Sequence, residues 1–178
     1  MRGTGKSHLL RKIVRATPKY VLWDPLREHG SLGVVVRTPS QLRVSLRTHP
    51  RIVFQGFTRD KSEFEPVAVS VFNWGNRFLF VDEADQVMPS RSIGPAAKEL
   101  VDLGRHRNVG LLCVTRRIAD LDKCPVAQAN KLFIFKTTLP QDIEYLRGFV
   151  AEASRAKDLQ GHRFLYVDNG RVSEHEKI

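Results

Sequence analysis

Gly3, Thr4, Gly5, Lys6 and Ser7 bring together the residue types that hold a polyphosphate. In the pattern G-x-x-x-x-G-K-[ST], the backbone N–H groups of a glycine-rich turn cradle phosphate oxygens, the lysine neutralises the outer phosphates, and the hydroxyl binds Mg²⁺. Gly5-Lys6-Ser7 fills the last three positions, and the first glycine of the pattern would fall one residue before Met1. The buried strand that leads into such a loop and holds it rigid is also missing from the sequence. Phosphate binding by Gly3–Ser7 therefore requires upstream residues, or a rearranged sheet edge, to take over that strand's task.

A second pair of residues completes the chemistry. Arg77-Phe78-Leu79-Phe80-Val81 runs as an apolar strand into Asp82 and Glu83. An aspartate at such a strand end holds Mg²⁺ through its water shell, while Ser7 supplies a direct oxygen ligand. The neighbouring Glu83 is placed to polarise the water that attacks a γ-phosphate. Phosphoryl transfer needs mostly positioning and charge neutralisation, so Lys6, a magnesium ion and a carboxylate supply its core. Either half alone could be a chance turn or a solvated strand end. In this order, on an α/β background, they point to an ATP- and Mg²⁺-binding NTPase site.

Further candidates flank a later strand, Val109 to Thr115. Thr115 at its end reads equally as a polar sensor of the γ-phosphate or as a cap of the next turn. Arg105, Arg107, Arg116 and Arg117 lie on either side of the strand. Any one of the four, with Arg105 and Arg107 taken as the site candidates, could be an arginine finger donated to a neighbouring subunit's nucleotide; contact with a phosphate backbone, or simple solvation, are the alternatives.

These residues need a scaffold, and the apolar pattern predicts one. A helix over Ser7–Arg15 presents Leu9, Leu10, Ile13 and Val14 on one side and aims its N-terminus at the phosphates. Strands are expected at Tyr20–Trp23, running into Asp24 and Pro25, and at Val34–Val36, Arg51–Gln55, Arg77–Val81, Val109–Thr115 and Lys131–Lys136. Helices are expected from Thr38, over Ser62–Trp74, over Pro95–Leu103, and after Pro140. Arg163–Val167, the Asn169-Gly170 turn and Arg171 onward predict a terminal hairpin. Alternating strands and helices argue for one α/β domain over residues 1–178, with a mostly parallel sheet flanked by helices and a C-terminal β-hairpin.

Composition bounds the partners. A chain of 178 residues with 42% hydrophobic content can bury a sizeable core. No apolar run reaches the length of a bilayer span, and Lys6, Arg11, Lys12 and Arg15 interrupt any leader-like segment, so a cytoplasmic location without stable membrane insertion is expected. Cys113 and Cys124 lack metal-ligand spacing and read as reduced structural residues. Net charge is +10, with twelve Lys/Arg against three acids in residues 1–60. That surplus suits a polyanionic partner, DNA or RNA, or a solvated basic face.

The succession GTGKS, VLWDP, FLFVDEAD, GRHRNVGLLCVTRR and KLFIFK, followed by a Pro-Gln-Asp-Ile helix, resembles the HerA/FtsK superfamily of P-loop ATPases. Within it the chain looks most like the compact DNA-packaging or DNA-export ATPases of phages and other viruses. The resemblance implies a RecA/FtsK-like fold, with Lys6 and Ser7 as the Walker A lysine and Mg²⁺ ligand, and Asp82 and Glu83 as the Walker B pair. It also implies a homo-oligomeric ring, usually a hexamer, that moves DNA through a central channel with ATP and Mg²⁺. A viral capsid or membrane partner, and a place in the host cytoplasm or the virion, follow from the same likeness. Relatives read T-Q-R-P where this chain has Thr115, Arg116, Arg117 and Ile118, so the glutamine of that segment is replaced by arginine.

Two other readings share the motifs. One is a helicase loader of the AAA+ type, which also carries GTGKSHLL; against it, little chain follows the 131–136 strand to build a helical lid. The other is a non-hydrolysing or weakly nucleotide-binding phage assembly factor of the zonula-occludens-toxin-like kind.

Overall fold

A computed structural model of the chain describes residues 5–58 and 60–176. The elements in chain order are α1 (Lys6–Ala16), β1 (Tyr20–Trp23), β2 (Val34–Val36), α2 (Pro39–Thr48), β3 (Arg51–Phe54), α3 (Lys61–Trp74), β4 (Arg77–Val81), α4 (Ala84–Val87) and α5 (Pro95–Leu103). They continue with β5 (Val109–Cys113), α6 (Lys123–Ala127), β6 (Lys131–Phe135), α7 (Pro140–Arg147), β7 (Phe164–Asp168) and β8 (Arg171–His175). Short 3-10 turns fill several of the connections, including Gly104–Arg107 ahead of β5.

Five strands form a wholly parallel sheet in the order β2-β3-β1-β4-β5. Its central strands are buried on both faces, which is why they read as unbroken apolar runs. Side chains alternate across the sheet. Tyr20, Leu22, Val53 and Phe80 meet Leu10 and Val14 of α1 on one side. Val21, Trp23, Ile52, Phe54, Leu79 and Val81 face the other side and pack with Leu42 and Leu46 of α2, Phe64 and Val67 of α3, and Ala97 and Leu100 of α5. Trp23 stacks on Phe54 at 5.4 Å and meets Phe64 edge-on at 5.2 Å, so the largest ring of this core is held from two directions.

The sequence places β6 in the strand–helix alternation, but the strand pairs antiparallel with β7, which in turn pairs antiparallel with β8. The terminal hairpin thus gains β6 and becomes a three-stranded sheet, with its own core built from Ile134, Leu146, Ala153, Leu165 and Val167. Asn169 and Gly170 both have positive φ, 47° and 80°, as a two-residue hairpin turn requires. Among the described residues no strand precedes α1, and the expected strand before Met1, together with Gly3 and Thr4, lies outside them. Among the described residues, no helix is long and apolar enough to cross a membrane.

Candidate nucleotide site

The parallel strands deliver their polar residues to one edge. Asp24 follows β1, Asp82 and Glu83 follow β4, and Thr115 follows β5. The N-terminus of α1 comes to the same edge. Gly5, just ahead of α1, takes the left-handed conformation (φ 98°, ψ −9°), and a Cβ there would stand 3.1 Å from the Phe135 ring at the end of β6. Only glycine fits both constraints. Leu9 then donates its N–H to the Gly5 carbonyl at 2.9 Å and closes the first turn.

Lys6 lies within electrostatic reach of Glu83, Asp82 and Asp85. Burial lowers the pKa of its ammonium group, Arg116 adds to that lowering, and the three carboxylates oppose it. Ser7 follows in the first turn of α1 and is exposed.

Asp82 and Glu83 are both buried, at 4% and 6% exposure, although the sequence alone left open a solvated strand end. Asp82 Oδ1 accepts the N–H of Glu83 at 3.1 Å, and Oδ2 lies 3.1 Å from Nε2 of the buried His29. Glu83 itself sits in the left-handed region (φ 52°, ψ 47°), a costly conformation for a residue with a side chain; the chain turns sharply there from β4 into α4. Burial pushes its carboxyl pKa up, and Asp82 and Asp85 push the same way, while Arg116 pulls it down. The cause of that pull is direct: Arg116 Nε is 2.7 Å from Glu83 Oε1.

His29 gave no motif in the sequence, yet it organises the Asp82 carboxylate. Its backbone N–H donates to Asp24 Oδ2 at 2.9 Å, and Gln55 Nε2 donates to the same oxygen at 2.7 Å. Glu28 N–H donates to the other Asp24 oxygen at 3.0 Å. Arg11 Nε donates to His29 Nδ1 at 3.4 Å, which leaves Nε2 as the protonated nitrogen that donates to Asp82. A buried network therefore runs from the ends of β1 and β3 to the end of β4. Asp24 supports it from within and is itself fully buried.

The remaining candidates fall in two places. Thr115 comes to the edge, but its hydroxyl donates to Asp85 Oδ1 at 2.7 Å and accepts the Arg117 N–H at 3.2 Å. Of its two readings, the turn cap is the one with visible hydrogen bonds. Arg117 pairs with the buried Asp142 of α7 at 3.1 Å, tying the two sheets together. Arg105 and Arg107 lie ahead of β5, at the opposite edge of the sheet from Lys6 and Glu83. Arg107 donates to the carbonyls of Phe72 and Asn73, at the end of α3. Cys113 is inert by environment, its thiol pKa pushed up to about 12 by burial.

The donor set fits a magnesium–nucleotide complex. Among the described residues no cluster of three or more His, Cys, Asp or Glu could hold a metal by itself. Mg²⁺ is usually held by one or two carboxylates plus substrate phosphates, and a single Asp82 with the Ser7 hydroxyl matches that mode.

No protein-family model matches the chain, and no curated protein matches it at a significant level. Solved structures do. The fold is that of a P-loop NTPase, in agreement with the order of motifs in the sequence. The particular likeness is to the genome packaging NTPase B204 from Sulfolobus turreted icosahedral virus 2. In complex with ATP-gammaS that protein superposes with a TM-score of 0.87 at 22% identity, over 99% of this chain and 94% of that one. In complex with AMPPCP the TM-score is 0.84 over the same shares. The N-terminal domain of zonular occludens toxin from Neisseria meningitidis is more distant, with a TM-score of 0.52 and 14% identity over 100% of this chain and 91% of that one.

Proposed function

We propose that residues 1–178 act as one ATPase domain that couples MgATP hydrolysis to DNA movement in packaging a viral genome, in a homo-oligomeric ring. The observation that carries this is the convergence of Lys6, from the start of α1, with Asp82 and Glu83, from the end of β4, at one edge of a parallel sheet. The likeness to a protein described as a genome packaging NTPase supports the DNA role.

Magnesium, when bound with ATP, neutralises phosphate charge and orients the γ-phosphoryl group. Asp82 and Ser7 would hold it, and His29 fixes which way the Asp82 carboxylate faces. Lys6 supplies positive charge at the outer phosphates, with the N–H groups of the first α1 turn beside it. Glu83 accepts the proton of the attacking water. For that it must leave the Arg116 guanidinium, and incoming phosphate oxygens compete for the same arginine.

The assay is ATP hydrolysis with and without DNA. A folded protein whose activity is DNA-stimulated and abolished by Lys6→Ala supports the proposal. Absence of activity in the oligomer, indistinguishable from Lys6→Ala, refutes it. The Arg116–Glu83 contact favours one second reading, a nucleotide-binding assembly factor with its glutamate masked. In that case Arg116→Ala gains hydrolysis that the wild type lacks.

A further inference from the structure

The opposite edge of the five-stranded sheet, at the N-terminal ends of the strands, takes no part in the site described above. Four segments meet there: residues 15–20, 47–51, 72–78 and 103–109. Backbone hydrogen bonds knit them together, from Tyr20 N to Pro50 O (2.8 Å), from Phe78 N to Lys19 O (3.0 Å) and from Asn76 N to Arg107 O (3.0 Å). The segments contain no Asp or Glu at all. They present Arg15, Lys19, Arg47, Arg51, Arg105 and Arg107, every one exposed. Among the described residues no salt bridge reaches any of the six.

Two further features distinguish this edge from a merely solvated basic face. Arg77, at the start of β4, is only 6% exposed; one nitrogen donates to Leu46 O at 3.3 Å, while Nε and Nη1 have no partner. Buried arginines normally spend their donors, so this one leaves a positive charge unanswered beneath the surface. Its guanidinium lies 6.0 Å from the ring of Trp74, which is 44% exposed. Beside Trp74 an open pocket of about 270 Å³ is lined by Asn76, His106, Arg107 and Asn108, all side chains that offer hydrogen-bond donors.

We propose that this edge binds the phosphate backbone of DNA. Exposed cations on segments that carry no acid give affinity for a polyanion through counterion release, an exposed indole offers a surface to a base, and the polar pocket suits a sugar–phosphate unit better than an acyl chain. The proposal rests on the DNA-moving function above and names where the DNA lies, away from the nucleotide.

The test is duplex binding by the nucleotide-free protein across a salt series, with wild-type ATPase measured in parallel. The double variant Arg47→Gln, Arg51→Gln is compared with Lys12→Gln, Lys157→Gln, which removes equal charge from exposed positions elsewhere. The plot of log K against log salt flattens by roughly 1.8 in slope for the edge variant, on the order of 0.9 per lost phosphate contact, and changes little for the control. Trp74→Ala weakens binding to a single strand more than to a duplex. Equal loss in edge and control variants, or no duplex binding by the wild type, overturns the proposal. So does an edge variant that keeps DNA binding and loses only binding to vesicles containing phosphatidylserine. Edge-dependent DNA binding by a protein without ATPase activity would refute the proposed function and leave the edge standing; the reverse pattern would refute the edge alone.

Discussion

The two edges of one parallel sheet carry opposite chemistry. At the C-terminal ends of the strands, Asp24, Asp82, Glu83, Asp85 and Asp142 gather acid groups that are fixed by partners: His29 and Gln55 on one side, Arg116, Arg117 and Thr115 on the other. The four segments at the N-terminal ends contain no acid, and their exposed cations are unpaired with carboxylates among the described residues. A satisfied, buried, pre-aligned network suits chemistry on a small ligand, where geometry decides the rate. Exposed cations suit a long polyanion, where charge density decides affinity and register is free. Both edges hang on the same strands, so the pair can be separated by substitutions at their ends and only jointly destroyed in the middle.

A wide separation of the two edges comes from Asp82→Ala. Hydrolysis falls by about 100- to 1,000-fold while duplex affinity is unchanged, measured by phosphate release and by anisotropy of labelled DNA. Leu79→Ala tests the shared middle. Leu79 is fully buried in β4 between Val21 and Leu111, and its truncation destabilises the fold by about 2–5 kcal/mol in denaturant titrations. Both activities then decline together as the folded fraction falls.

A finer cut is His29→Ala. The Mg²⁺ concentration needed for half-maximal nucleotide binding rises by about 10- to 100-fold, because the Asp82 carboxylate loses the group that orients it. Binding at saturating Mg²⁺ is retained, which separates orientation from loss of the site.

The smallest effect lies at the start of α3. Asp60 caps α3, accepting hydrogen bonds from the Ser62 hydroxyl and from the N–H groups of Glu63 and Ser62, and these hold its carboxyl below the ordinary carboxylate pKa. A carboxyl lowered in the folded state stabilises fully above its unfolded value, about 3.9, and that stability is lost as pH falls through the folded value. Asp60→Asn keeps the cap and flattens this acid-side slope in melting temperature below pH about 4, with little change near neutrality.

Much of this arrangement was legible in the residues. Strands buried on both faces have no alternation to obscure them, so Tyr20–Trp23 and Arg77–Val81 stood out, and their polar ends marked the site. The partner of β6 was not legible, because an apolar run looks the same whether its neighbour is parallel or antiparallel. His29 was missed because it lies in the connection after β1 and contacts Asp82 only through folding, 53 residues along the chain. Arg116 was visible as a departure from the T-Q-R-P pattern, but its contact with Glu83 depends on how β4 and β5 pair. Basic charge was obvious in composition; its sorting onto one edge needed the strand order, since the four segments are scattered between residues 15 and 109.

The proposed ATPase activity depends on Glu83 as the base that activates water beside Lys6 and Asp82. Its most direct test is MgATP binding and hydrolysis by Glu83→Gln. Nucleotide affinity within about threefold of wild type, with hydrolysis reduced by about 100- to 10,000-fold, is the predicted result. Hydrolysis at the wild-type rate would contradict it.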